Sequence, residues 1–364
     1  MISKLLKSLG KHIDSFLMTC LLLTMLVGLF VLYSASGQSF ERLYAQCINI
    51  IVALGFMWGA ANIGPTKLER IAMPLYVIGV LLLIAVALFG SISHGARRWL
   101  NLGVMQIQPS EIMRIAMPMM LAYYFAKRES KPVLADFAIG GLLLVVPVML
   151  IMKQPDLGTA LLVAASGFYI LFLAGLSWKW LLGGIVLFAA STPILWPLLH
   201  DYQRRRIEIL LDPTQDPLGA GYHTIQAIIA LGSGGIAGKG WLNGTQAQLD
   251  FLPERTTDFI FAVFGEEFGL LGILLLLLLF SLMIMRGLVI ASQAQSTFSR
   301  LLAGSITLTF FTYVFVNMGM VSGILPVVGV PLPLVSYGGT SMVTILLSFG
   351  ILMSIQTHKN LVAN

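Results

Sequence analysis

Charge is what this chain has least of. Only 10% of its 364 residues are Asp, Glu, Lys or Arg, while 57% are hydrophobic; a soluble domain carries about a quarter charged residues. Mean hydropathy is +0.89. Cysteine is nearly missing too: Cys20 and Cys47 are the only two, and both fall in apolar runs. That excludes a disulfide framework or a cysteine metal cluster and leaves two small core residues. No polar stretch is long enough for a separate soluble domain, so the sequence predicts one polytopic domain over 1–364. The formal charge of +6 does not point to nucleic acid, because it follows the loop asymmetry below.

What is present is apolar runs of spanning length. Ten occur, at 13–33, 43–63, 70–90, 110–126, 136–152, 158–175, 179–198, 258–286, 299–322 and 336–356, most near the roughly 20 residues a bilayer-crossing helix needs. The expected fold class is an all-α polytopic membrane protein of about ten transmembrane helices. Lys4, Lys7 and Lys11 precede the first run, which from Phe16 to Leu32 is long for the apolar part of a signal peptide. An uncleaved first helix is therefore expected. With the N-terminus inside, the inner segments hold twelve Lys and Arg residues and the short outer loops four (Arg42, Arg97, Arg98 and Lys153). That asymmetry places both termini in the cytoplasm. The long polar insert 199–257, between the seventh and eighth runs, then faces outward.

Polar residues that break the apolar pattern gather on this outer side. Gln108-Pro109-Ser110-Glu111 opens the fourth run, and Glu111 and Arg114 share a helix face. They read as a first-turn acid with a local ion pair, or as a charged wall in an outward cavity. A second Gln-Pro turn, Gln154-Pro155-Asp156, puts Asp156 where it either caps the sixth helix or takes part in chemistry. The insert opens with alternating basic and apolar residues from Asp201 to Leu211. These suit a short interfacial helix at anionic lipid heads, or arginines against a pyrophosphate. Gly232 to Gly240 resembles a phosphate loop but lacks the glycine and hydroxyl positions of one. It reads as flexible backbone able to approach a bulky ligand. The insert ends in Arg255-Thr256-Thr257-Asp258, where a carboxylate meets the lipid boundary. Asp258 is either an N-cap, a role Thr256 or Thr257 could also fill, or a general base with a pKa raised by burial. Glu266 and Glu267, about two turns further on, read as structural. Pro326 to Pro333 and Ser336 to Ser341 form a rigid outer turn before the last run.

Taken in order, Tyr33-Ser34-Ala35-Ser36, Gly95-Ala96-Arg97-Arg98-Trp99-Leu100, Gln108-Pro109-Ser110-Glu111, Gln154-Pro155-Asp156-Leu157-Gly158-Thr159, Gly238-Lys239-Gly240-Trp241, Thr257-Asp258-Phe259-Ile260-Phe261 and Val335-Ser336-Tyr337-Gly338-Gly339 resemble the SEDS family (shape, elongation, division and sporulation). The likeness runs along almost the whole chain and is nearer the rod-shape branch than the division branch. It implies a peptidoglycan glycosyltransferase in the bacterial inner membrane that polymerises lipid II on the outer face for cell-wall elongation. The family's essential aspartate falls on Asp258 and its helix glutamate on Glu111. Arg114 stands where the family has lysine, which keeps the charge and changes the donor geometry. Trp99, Asp156, Arg204, Lys239, Arg255 and Ser336 are the further expected cavity or substrate residues. A Mg or Mn ion at the pyrophosphate is the one cofactor expectation. The implied partners are a class B penicillin-binding protein and other elongation proteins, since this chain carries no Ser-x-x-Lys transpeptidase motif in a soluble domain. A lipid-precursor flippase and a non-catalytic scaffold are the rival readings. No internal inverted repeat favours a transporter.

Overall fold

In the computed structural model the described residues are 11–93, 96–101, 106–128, 131–198, 204, 208–209, 212, 220–248, 252 and 254–358. Helices occupy all ten apolar runs: α1 (Ser15–Ala35), α2 (Phe40–Ala61), α3 (Pro65–Phe89), α4 (Pro109–Ala126), α5 (Leu134–Met152), α6 (Leu157–Leu173), α7 (Trp178–Leu195), α10 (Ile260–Ser292), α11 (Thr297–Val321) and α12 (Gly339–Thr357). The insert adds α8 (Ala220–Ser233) and the single turn α9 (Thr245–Gln248). Among the described residues, α1, α2, α3, α5, α10, α11 and α12 are long and apolar enough to cross a membrane, and α6 is a shorter apolar helix. α4, which carries Glu111 and Arg114, and α7 are not in that set.

Local chemistry sets the helix starts. Asp14 caps α1 by accepting from Leu17 N at 2.9 Å, and Ser296 caps α11 by accepting from Ser299 N at 3.1 Å. Pro65 and Pro109 occupy first-turn positions of α3 and α4, where a missing N–H leaves nothing unpaired. About two thirds of the apolar window of α11 and of α12 is buried (67% and 61%), against 22–44% in the other spans. These two helices are therefore the centre of the bundle; α12 lies along α2, and α11 packs on α10 and α6. The start of α1 and the end of α12 meet at one end of the bundle. There His12 stacks on His358 with ring centroids 4.2 Å apart, and Arg286 pairs with Asp14.

The expectation of an all-α fold needs one correction. Three short strands form a small antiparallel sheet, β1 (Ser91–Ser93), β2 (Ala96–Asn101) and β3 (Gln106–Ile107), in that spatial order. The strands are too short for any period-2 pattern to stand out. A second correction concerns 232–240, which is pinned rather than free. Gly269 (φ 62°, ψ −162°) interrupts α10, and the insert repairs the break with its own backbone. Leu270 N and Leu271 N donate to Gly235 O and Ile236 O at 3.0 and 3.1 Å, while Lys239 N and Gly240 N donate to Glu266 O and Glu267 O at 3.0 and 2.9 Å. A Cβ on Gly269 would lie 2.3 Å from Gly238 N, so only glycine permits this approach. Gly234 and Gly238 lie directly against the backbone of α10. The interfacial helix expected over 201–211 lies largely outside the described residues.

Side chains lock the same junction. Glu266, wholly buried, accepts from Lys239 Nζ at 2.7 Å, Thr245 N at 2.9 Å and Gln246 N at 3.1 Å. Glu267 accepts from Ser34 Oγ on α1. Removing one partner of a buried pair strands the other charge. Lys239→Met is thus expected to lower the unfolding midpoint in detergent, through a loss of stability of at most about 3–5 kcal/mol, since Lys239 itself is only half-buried. Lys239→Met with Glu266→Gln should recover most of the loss. Equal midpoints for wild type and Lys239→Met would show that the hydrogen-bond donors alone hold Glu266.

Candidate active site

The aspartate expected at the lipid boundary sits in a tight turn, 254–259, just ahead of α10. Thr257 N and Phe259 N both donate to Glu254 O, at 3.1 and 3.3 Å. The turn is stitched to the segment before α12: Tyr337 N donates to Thr256 O at 2.9 Å, and Ser336 Oγ donates to Thr257 O at 2.6 Å while accepting from Leu332 N at 2.8 Å. Ser336 is thereby a brace for this turn. The N-cap position of α10 is Phe259, with no side-chain cap bond, so neither Asp258 nor Thr256 or Thr257 spends its side chain on capping. Among the described residues the Asp258 carboxylate has no ion pair and no hydrogen-bond donor. It faces Gly329, where a Cβ would stand 3.5 Å from Asp258 Oδ2. Burial, with a smaller push from the Glu254 charge, raises its pKa from 3.8 to about 6. A carboxylate so placed is ionised at neutral pH and still basic enough to take a proton.

A second polar group lies at the adjoining helix starts. Arg114 holds Glu111 with two contacts of 2.7 Å, donates to Thr159 Oγ1 at 3.0 Å, and lies 5.2 Å over the Tyr313 ring. Asp156 caps α6 by accepting from Thr159 N at 3.1 Å and also accepts from Gln108 Nε2 at 3.3 Å. Of its two expected roles, capping is the one seen. Arg98, from β2, reaches over this turn. It donates to Gln154 O at 3.4 Å and Pro155 O at 2.8 Å and lies 4.0 Å from Asp156 Oδ2. The two Gln-Pro turns thus form one network of Glu111, Arg114, Thr159, Asp156 and Arg98.

The segment 328–330 joins the two groups. A Cβ on Gly158, in the first turn of α6, would come within 2.8 Å of Val328 O and 2.9 Å of Val330 Cγ2. Asp258 stands on one side of this segment and the Arg114 network on the other. Both are at the end of the bundle opposite His12 and His358. The remaining expected residues are not gathered as one cation cluster. Lys239 is committed to Glu266. Arg204 donates to Trp196 O at 2.9 Å and Pro197 O at 2.6 Å, closing the end of α7. Arg255 reaches the α1–α2 turn, where a Cβ on Gly37 would lie 3.9 Å from its NH2. Trp99 pairs with Ser91 across the hairpin. Arg205 and Arg206 lie outside the described residues. No group of three or more His, Cys, Asp or Glu suited to a metal occurs among the described residues.

Two contributors were not among the expected site residues. Arg98 is one of a pair of outer-loop arginines, and only the fold reveals which carbonyls it grips. Asn317 is a lone amide in an apolar helix, wholly buried, and it donates to Asp258 O. A polar side chain at that depth is the one signal that could have marked it.

Comparisons with known proteins bear on the family and the fold. The profile of the FtsW/RodA/SpoVE family, described as "Cell cycle protein", matches residues 14–361. Peptidoglycan glycosyltransferase MrdB of Escherichia coli K12 is 53% identical over 353 residues, 97% of this chain and 95% of its own. The probable peptidoglycan glycosyltransferase FtsW of Geobacter metallireducens is 37% identical over 345 residues, 91% of each chain. Among solved structures, a chain from a peptidoglycan synthase complex that coordinates polymerization and crosslinking superposes with TM-score 0.83 at 31% identity, over 95% of this chain and 99% of that one. The rod shape determining protein RodA of Thermus thermophilus superposes with TM-score 0.72 at 29% identity, over 95% and 98%.

Proposed function

This chain belongs to the FtsW/RodA/SpoVE family of cell cycle proteins, and from that premise we propose that it is the peptidoglycan glycosyltransferase that polymerises lipid II for cell-wall elongation, with Asp258 as its general base. The observation that carries the assignment of the base is the carboxylate of Asp258. It is half-buried, has no donor among the described residues, has a pKa of about 6, and is backed by a turn braced at Thr256 and Thr257.

Lipid II carries its sugar on an α-linked pyrophosphate and the strand is β-1,4 linked, so the anomeric carbon inverts in one displacement. The acceptor 4-hydroxyl attacks that carbon. The new C–O bond forms as the bond to the pyrophosphate oxygen breaks, the hydroxyl proton passes to Asp258, and undecaprenyl pyrophosphate leaves with the bonding pair. Asp258 then returns the proton to solvent. The logic is that of an inverting glycosidase with a sugar in place of water. The leaving group is already an anion and needs cations rather than an acid. Arg255 is the expected cation nearest Asp258 in the chain, and Glu111 with Arg114 forms the polar wall beyond 328–330. With no group of three or more His, Cys, Asp or Glu suited to a metal among the described residues, a Mg or Mn ion at the pyrophosphate would rest largely on the substrate's own oxygens.

The loop charges support a multi-pass inner-membrane protein with both termini in the cytoplasm and Asp258 on the outer face. A transpeptidase of the class B penicillin-binding type is the partner proposed to crosslink the strands. The complex that coordinates polymerization and crosslinking supports that pairing. Purified protein with this partner and labelled lipid II, resolved on a gel, tests the function. A ladder of strands is the expected result. Translocated lipid II without strands would replace this reading with the flippase.

A further inference from the structure

Asn317 supplies the donors for two backbone carbonyls that lie outside its own helix. Its Nδ2 donates to Asp258 O at 2.9 Å and to Val330 O at 2.7 Å. Both amide hydrogens are therefore used, and both go to backbone carbonyls. The reverse amide orientation would set an oxygen against two carbonyl oxygens, so the acceptors fix which way the group points. Its Oδ1 is buried with no partner among the described residues. An apolar residue of the same shape would spare α11 the desolvation of that oxygen. The amide is retained at a cost to packing, which points to what the two bonds hold.

They hold the two sides of the site against each other. Asp258 lies on one side of the amide and Val330 on the other. Gly329, the residue before Val330, is the one that faces the Asp258 carboxylate. With φ at +75°, Gly329 also has a backbone that a side chain would strain. Ser336 and Tyr337 brace residues 256 and 257. Asn317 is the side chain that reaches residue 258 itself. We infer that Asn317 is a positioning residue of the transfer reaction: by tying the carbonyls of Asp258 and Val330 it sets the distance and direction from which the Asp258 carboxylate meets the acceptor hydroxyl. This rests on the reading of Asp258 as the base. Asparagine suits the task because it offers two neutral donors on one nitrogen. An aspartic acid there, kept protonated by burial against two carbonyl oxygens, offers a single donor, and leucine fills the space without donating.

Asn317→Asp and Asn317→Leu, each purified with the transpeptidase partner, test the inference by two independent readouts. The first is polymerisation of lipid II. Turnover at saturating substrate should fall about 10- to 100-fold, the loss expected when a reacting group is misplaced by around 1 Å. KM should stay within roughly threefold, because no substrate contact is removed. The second readout needs no catalysis: the pH profile of dicyclohexylcarbodiimide modification of Asp258, followed by mass spectrometry of its peptide. The wild-type midpoint should lie at about 6, and that of Asn317→Leu should fall toward the ordinary carboxylate range as water reaches the loosened turn; Asn317→Asp adds a second acid beside Asp258, which acts in the opposite sense, and is read by turnover. Normal turnover in both variants, or a modification profile of Asn317→Leu identical to wild type, would overturn the positioning role. A loss of turnover confined to KM would move Asn317 to substrate binding. If the wild type makes no strands while the modification profile still depends on Asn317, the polymerase reading fails and the tie between Asn317 and Asp258 stands.

Discussion

Asp258→Asn is expected to abolish strand synthesis and, above pH 6, to make the protein more stable than wild type. The two effects have one cause. The turn that holds Asp258 supplies no donor to its carboxylate among the described residues, so the ionised form is poorly solvated in the folded state. A rise in pKa from 3.8 to about 6 corresponds to on the order of 3 kcal/mol against the charge, less what solvent screens at a half-buried group. The sign follows from proton counting. Between about pH 4 and pH 6 the folded protein keeps a proton that the unfolded chain has released. Stability therefore declines as pH rises through that window, and the full penalty persists above it. Asparagine cannot ionise and avoids the penalty. Its melting midpoint should exceed that of wild type at pH 7 to 8, and the two should converge below about pH 4.

The rate has the opposite dependence. A base must be ionised to accept the acceptor proton, so wild-type turnover should fall about tenfold per pH unit below a midpoint near 6. Asp258→Asn should lose about 10²- to 10⁴-fold, the usual contribution of a positioned base, and any residual activity should lack that acidic limb. Strand length on gels and initial rates across pH 5 to 8 give both quantities. Near-normal strands from Asp258→Asn would remove Asp258 from the chemistry. A variant that is inactive and also less stable than wild type at pH 7 would show that the carboxylate has a structural partner.

The sequence disclosed the helices because apolar length is a strong, local signal: every run it marked is a helix, with ends shifted by a few residues. It disclosed Asp258 for the same reason, since an acid at the edge of a long apolar run stands out. What it hid depends on contacts between distant segments. Residues 232–240 look flexible because glycine tolerates many conformations. Only the break at Gly269, indistinguishable in sequence from the other glycines of α10, shows that they dock on a helix. Asp156, an acid in a Gln-Pro turn, could cap or take part in chemistry, and the cap itself was visible only with Thr159 N at 3.1 Å. Lys239 looked like an anion ligand until Glu266, distant in sequence, claimed it. Asn317 sits in a run that reads as plain, and its partners lie 59 and 13 residues away. Helix α8 was missed because its flanks are polar and rich in glycine and proline, although its interior, Thr224 to Leu231, is mostly apolar.

Glu111 and Arg114 admit a sharper test than either residue alone can give. Their contacts of 2.7 Å are those of a well-made, largely buried pair, so deleting either side strands a charge and should cost about 3–5 kcal/mol. Glu111→Gln and Arg114→Met should thus both unfold at lower temperature, and both should appear inactive for that reason alone. The double variant Glu111→Gln, Arg114→Met removes both charges and should regain most of the stability, since a neutral replacement of a buried pair is close to energetically even. Its activity then separates the two readings of the pair. If polymerisation returns with stability, the pair is a brace for the starts of α4 and α6 and nothing more. If the double variant folds like wild type and polymerisation remains down at least tenfold, the charges act on substrate across the 328–330 segment from Asp258. The second outcome is expected. Arg114 also reaches Thr159 in the α6 cap, and Gly158 beside it touches the segment that Asp258 faces; a brace for two helix starts would not need to extend to the wall of the site. Arg114→Lys refines the point. It keeps the charge and loses the fork by which Nη1 holds Glu111 while Nη2 reaches Thr159, so a polymerisation loss greater than its stability loss would show that the fork, and not the charge alone, shapes the site.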